Sequence, residues 1–245
     1  TKIEIDGKDE LSKLAKSLNK LKLKIQRAIE LQCAQVFEDG IIQLKSAVNI
    51  DFGRKVGSKV NKGAGNYWDT ATIDPYVDLE NACKFLREQG NASVSTFDAI
   101  MGQDALALFL SNTLVKERSN IRRFNMDDIR KPENSRGASF HGEVTCGSYI
   151  VRIYTYPEAY EITPGVFQPY MNPKKVVVLP QTTNFRLGYA AVPQLIKDGQ
   201  IEQKGAFLIN EVFDYENTAH KIYIKSAPVA IPVAVDQIYT VQVVA

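Results

Sequence analysis

Histidine, cysteine and tryptophan are scarce in this 245-residue chain, at two, three and one. Cys33, Cys83 and Cys146 are odd in number and far apart, so they form no disulfide framework and point to synthesis in a reducing cytoplasm. No cysteine or histidine cluster has the spacing of a zinc site. No apolar run approaches the roughly 18 residues of a membrane helix, and no membrane partner is expected. No signal-peptide pattern is read. A dominant charge sign is missing too: 30 basic and 28 acidic residues leave a formal charge of +2, without a global field for nucleic acid or membrane. Neither G-x-x-x-x-G-K-[ST] nor G-x-G-x-x-G occurs, so Gly57, Gly63 and Gly65 read as flexible loop rather than a phosphate cradle.

What is present is an ordinary folded composition, 44% hydrophobic and 24% charged, with length for one large or two small domains. The strongest local signal is a helix over Asp9–Asp39. Leu11, Leu14, Leu18, Leu21, Ile25 and Ala28 alternate three- and four-residue spacings, with Asp9 as cap and Gly40 as stop. Such a helix spans about 45 Å, long for a compact domain. Ile41–Phe52 reads as extended and Arg54–Asn66 as a mobile connection. A second helix runs from Asp74-Pro75 to Gly90, burying Tyr76, Leu79, Ala82, Cys83 and Leu86. Ser93–Ile100 reads as a strand, Asp104–Asn112 as a third helix, with a fourth from Thr113, and Asp128–Arg136 as loop. Strands follow: Phe140–Thr145 and Ser148–Tyr156 around a Cys146-Gly147 turn, Lys175–Leu179, Phe185–Val192, Ala206–Val212, His220–Ser226 and Gln237–Val244. Helices first and strands after favour α+β.

Few residues invite chemistry. His141 and Cys146, placed on opposite sides of the hairpin turn, form the one conceivable nucleophile pair, with no third group to orient them. The plainer reading is a strand histidine and a turn cysteine; His220 is remote. Asp74, Asp78 and Glu80 sit where carboxylates favour a helix start over a metal. Asn91-Ala92-Ser93 fits a glycosylation acceptor by chance alone. Trp68 beside Tyr67 reads as an anchor packing a loop end. Lys8, Lys13, Lys16, Lys20, Lys22, Lys24 and Arg27 make the first helix basic, either as a solvated face or as a salt-sensitive contact with acidic neighbours or nucleic acid. No catalytic, cofactor-binding or metal-binding residue is expected.

Several segments share their order with a known family. Asn49-Ile50-Asp51-Phe52-Gly53-Arg54, Trp68-Asp69 with Asp74-Pro75 and Asp78-Leu79, and Phe97–Leu108 come first. Tyr154, Tyr156 and Tyr160 within Gly142–Tyr160 follow, then Gly165 with Pro169-Tyr170-Met171-Asn172-Pro173, Val176–Pro180, Lys225–Pro228 and Pro232. Together they resemble the lambda-type phage major capsid proteins, the capsid protein E family, from about Lys24 to Ala245. The resemblance implies a Hong Kong 97-type capsid fold of the α+β class, with a long spine helix and peripheral and axial domains. It implies 1–70 as peripheral, with the end of an extended loop at 1–8, 71–215 as mainly axial, and 216–245 as strands completing the core. Thr1–Lys8 reads as a strand end and turn, so the arm and most of the extended loop are expected to be missing from this chain.

The resemblance further implies hexamers and pentamers of an icosahedral shell around double-stranded DNA, assembled in the host bacterial cytoplasm and resident in the virion. A scaffolding protein, a portal and a decoration protein are the implied partners, and no active site carries over. Near-neutral charge suits many like subunits packed side by side. The competing readings are an encapsulin-like compartment shell, a hydrolase using Cys146 and His141, and a prophage remnant that no longer assembles.

Overall fold

The computed structural model describes residues 7–44, 48–119, 137–196, 199–214 and 219–245. In chain order these form α1 (Gly7–Glu38), β1 (Ile41–Gln43), β2 (Asn49–Asp51), a 3₁₀ turn (Val56–Ser58), β3 (Lys59–Asn61), α2 (Pro75–Glu88) and β4 (Thr96–Met101). Then come α3 (Gln103–Ser111), α4 (Thr113–Ser119), β5 (Ser139–Cys146), β6 (Tyr149–Thr155), β7 (Ala159–Thr163), β8 (Val166–Pro169) and β9 (Lys175–Pro180). The chain closes with β10 (Phe185–Tyr189), β11 (Val192–Ile196), β12 (Gly199–Gln203), β13 (Leu208–Asp214), β14 (Ala219–Lys225), β15 (Pro228–Pro232) and β16 (Tyr239–Gln242). Helices dominate the first half and strands the second, an α+β arrangement.

The chain divides into two compact units, and α1 contributes to both: Thr1–Gln32 with Phe185–Ile231, and Cys33–Asn184 with Pro232–Ala245. The first unit is built from strands paired two by two. β11 and β12 form one antiparallel hairpin, β13 and β14 a second, and β10 pairs with β15. Gln32 ties α1 to β15 by its side-chain amide: Nε2 donates to Pro228 O at 3.0 Å, and Oε1 accepts from Ala230 N at 3.0 Å. One amide thus serves a donor and an acceptor of the same strand.

The second unit is organised by a six-stranded mixed sheet in the order β3-β16-β9-β4-β6-β5. β4 runs parallel to β6 and antiparallel to β9, while β16 runs antiparallel to β9 and parallel to β3. The central strand β9 buries Val176, Val177, Val178 and Leu179 in succession, as expected for a strand covered on both faces. α2 packs against β9 through the face predicted from its spacing, with Leu79, Ala82, Cys83 and Leu86 buried. The core continues through Phe97, Phe109, Val151, Ile153 and Val241. Gly102 begins α3 where the carbonyls of Asn172 and Pro173 pass so close that a Cβ would collide with both. Ala105 N takes the Pro173 carbonyl at 3.0 Å, which seats α3 on the turn before β9.

Four expectations need correction. α1 begins at Gly7, so Lys8 belongs to the helix rather than a turn, and Asp9 lies in the first turn rather than at the cap. Acidic residues in a first turn favour the helix dipole, so a capping residue and a first-turn residue look alike in sequence. Arg54–Asn66 is no mobile connection, since it contains the 3₁₀ turn and the sheet strand β3. Phe185–Val192 is not one strand: β10 and β11 have different partners, and Ala190 N between them donates to Ala227 O. Gln237–Val244 opens with a 3₁₀ turn, Val235–Gln237, before β16. The short strands β7, β8, β12 and β15 carry too little alternation to be read. Thr1–Asp6 and Asp128–Arg136 lie outside the described residues.

Candidate functional site

The nucleophile pair fails on geometry. His141 and Cys146 lie on the same strand, β5, rather than across the turn. They stand five positions apart along the strand, roughly 15 Å. His141 sits at a β-bulge between Phe140 and Gly142, where its Nε2 meets Thr155 Oγ1 at 2.7 Å. Burial lowers its pKa. Cys146 is 1% exposed, and burial, helped by the nearby charge of Glu80, pushes its thiol up to about 12. A thiol so buried and so weakly acidic is not a nucleophile at neutral pH. Cys83 is shifted in the same direction by burial and by Cys146. The backbone of His220 lies in β14, opposite Phe213.

The carboxylates at the start of α2 have separate structural duties. Asp74 caps the helix, its Oδ1 accepting from Tyr76 N at 3.0 Å, and pairs with Arg118 at 2.8 Å. Asp78 instead receives the indole N–H of Trp68 at 2.7 Å and the Lys62 ammonium. Trp68 is buried, as expected of an anchor, with its ring 5.8 Å from Phe109 and its backbone N–H on Val243 O at 3.0 Å. Asn112 Nδ2 donates to Ile73 O at 3.1 Å and closes the same junction. Among the described residues, no three His, Cys, Asp or Glu side chains gather as metal donors would.

The most concentrated polar construction surrounds Arg54, which is 6% exposed. Its Nη1 donates to the carbonyls of Phe37 at 2.9 Å and Glu38 at 3.3 Å, the acceptors left without intrahelical partners at the end of α1. Its Nη2 donates to Ser58 O at 3.0 Å, Ile238 O at 2.8 Å and Thr240 Oγ1 at 3.1 Å. Thr240 Oγ1 in turn donates to Phe37 O at 2.7 Å. Burial pulls the guanidinium down to about 10, so it stays charged at neutral pH. Gly40, in the left-handed region at φ +74°, lies against the arginine stem, where a Cβ would meet Cδ at 2.5 Å. Beside this knot is a polar cleft of about 210 Å³ lined by Glu38, Asp39, Lys59, Lys175, Thr240 and Gln242. Lys175 Nζ bridges Glu38 at 3.3 Å and Asp39 at 3.1 Å, so the cleft's charges answer one another. This is a structural joint between a helix end and a sheet. The sequence placed Arg54 at the start of a loop; the Phe52-Gly53-Arg54 triplet in the family resemblance was the one signal that could have found it.

The β7–β8 hairpin is the clearest surface feature. Ile162, Val166 and Phe167 are 56%, 53% and 67% exposed, large apolar side chains gathered on four-to-five-residue strands. Its base is pinned by Tyr160, whose ring lies 5.1 Å from Tyr170 and whose hydroxyl donates to Gln168 Oε1 at 3.0 Å. An apolar patch held on a fixed support is characteristic of an interaction surface. No helix among the described residues is long and apolar enough to cross a membrane.

Comparison with known proteins gives a consistent result. The sequence matches the profile of the phage major capsid protein E family over residues 8–243. No curated protein matches it. Among solved structures, it resembles one described as a prophage capsid protein of E. coli CFT073, with a TM-score of 0.63, 16% identity and 91% of this chain covered. It also resembles a phage-related protein from Bordetella bronchiseptica RB50, with a TM-score of 0.52, 16% identity and 93% of this chain covered. The chain spans 64% and 66% of the lengths of those two proteins. At such identities the likeness concerns the fold.

Proposed function

Because the chain belongs to the phage major capsid protein E family, we propose that it is a structural subunit of a phage or prophage icosahedral shell enclosing double-stranded DNA. The family match across residues 8–243 carries this reading, and the α+β fold shared with phage capsid proteins supports it. The role is structural: surfaces that repeat around the shell do the work, and each contact can be weak because many act together. Hexamers and pentamers of this chain are the assembly units, with residues 1–70, 71–215 and 216–245 as the peripheral, axial and core-completing parts. A scaffolding protein, a portal and a decoration protein are the partners of assembly, the host cytoplasm is its place, and the virion is where the product resides.

Negative-stain electron microscopy tests the reading, using the full-length protein co-expressed with the product of the gene just upstream. Closed shells or capsomer rings are expected. A full-length protein that stays uniformly monomeric at high concentration would remove it.

A further inference from the structure

The outer face of α1 carries a run of charge of one sign. Between Glu10 and Glu30 the helix contains no acidic residue, while Lys13, Lys16, Lys20, Lys22, Lys24 and Arg27 lie within that interval. At about 100° per residue, Lys16, Lys20, Lys24 and Arg27 fall within roughly 80° of one another around the axis. Leu18, Leu21 and Ile25 point to the opposite side and are half-buried, whereas all four cations are exposed. Lys22 lies off this line and sits over the Phe207 ring, 5.7 Å from its centroid. Lys16, Lys20 and Lys24 have no hydrogen bond or ion pair among the described residues. The side chains that flank the stripe around the axis are uncharged, Ser17 on one side and Asn19, Leu23 and Gln26 on the other.

We infer that this stripe, Lys16, Lys20, Lys24 and Arg27, is a sequence-independent docking surface for the phosphate backbone of double-stranded nucleic acid. This rests on the shell reading, to which it adds the surface that meets the enclosed DNA. The stripe is about 16 Å long, a length over which duplex DNA presents on the order of ten phosphates. Flexible ammonium groups regularly spaced on a rod meet a periodic polyanion without needing base contacts. A protein partner fits less well. Interface cores are depleted in lysine and need buried aromatic or arginine anchors in pockets, and this convex helix face offers neither.

The test is binding of a short random-sequence DNA duplex to the full-length protein across a KCl series. Log affinity should fall linearly with log salt, and the K16Q/K20Q/K24Q variant should flatten that slope by about 3, near one unit per lysine. Glutamine keeps helix propensity close to lysine's, and unchanged circular dichroism confirms the fold. Lys84→Gln on α2, outside the stripe, should leave the slope unchanged. An unchanged slope in the triple variant, or a surface that takes poly-glutamate and not duplex, overturns the inference. Microscopy of the wild-type chain separates the two claims. Shells that form without salt-sensitive duplex binding sink the docking surface alone, whereas absence of shells from the wild-type chain sinks the shell reading.

Discussion

Arg54 and His141 show how the same burial acts on different chemistry. The arginine is buried with a partner for nearly every N–H, so its charge is absorbed by the carbonyls of α1, the 3₁₀ turn and the β16 entry. Arg54→Met leaves those acceptors buried and unpaired, and a loss of roughly 3 kcal/mol or more in urea unfolding is expected. Arg54→Lys should recover only part of that, because an ammonium cannot reproduce the planar fork. His141 has one side-chain partner and is held below its ordinary pKa by burial. The unfolded chain takes a proton near 6.5, while the folded chain waits for lower pH. Between those points the unfolded state binds more protons, so stability falls as pH drops below about 6.5. His141→Gln should flatten that part of the stability-versus-pH curve relative to wild type; parallel curves would show that His141 does not contribute it.

At the scale of elements, α2 offers the cleanest dissection, because its cap and its ion pair share one residue. Asp74→Ala removes both and should cost about 1 kcal/mol, or roughly 2–4 °C in melting temperature for a chain of this size. Asp74→Asn keeps a capping oxygen and loses the charge facing a half-exposed Arg118. It should stay within a few tenths of a kcal/mol of wild type, since exposed pairs contribute little. The contrast reads out which duty matters. α2 was legible in the sequence because it carries every local sign of a helix: cap, first-turn proline, apolar spacing and terminal glycine. α1, β4–β6 and β9 were legible for the same reason, with long periodic patterns or unbroken apolar runs. β3 was not, because Lys59-Val60-Asn61 has no pattern of its own and becomes a strand only by lying beside β16, far along the chain. Arg54 was hidden by the same non-locality, its partners at Phe37 and Ile238 being separated by most of the sequence. The His141–Cys146 pair misled because a turn placed one residue too early puts two distant residues of one strand on opposite sides of a hairpin turn.

At the scale of the whole molecule, the β7–β8 hairpin separates assembly from stability. Phe167 is exposed in the single chain, so Phe167→Asp should leave the melting temperature nearly unchanged. If the hairpin meets a second copy, the same change buries an unpaired charge at that contact, and the yield of shells under the microscope should fall sharply. Loss of stability with unchanged shell yield would assign the hairpin to the fold instead. The sheet carries another consequence, concerning time rather than strength. β16 lies between β3 and β9, so residues 239–242 are the insert that joins β3 to the rest of the sheet. During translation, β3 emerges some 180 residues before the strand it needs, and β9 some 60 before. Neither can complete its hydrogen bonds until the ribosome has delivered β16. The same late stretch brings Ile238 and Thr240 to Arg54, so the joint at the end of α1 closes in the same moment. The sheet of the second unit is therefore unfinished until residues 239–242 are made. Order of synthesis thus sets order of folding: the six-stranded sheet of the second unit closes only after a stretch of chain some 180 residues beyond β3 has been made.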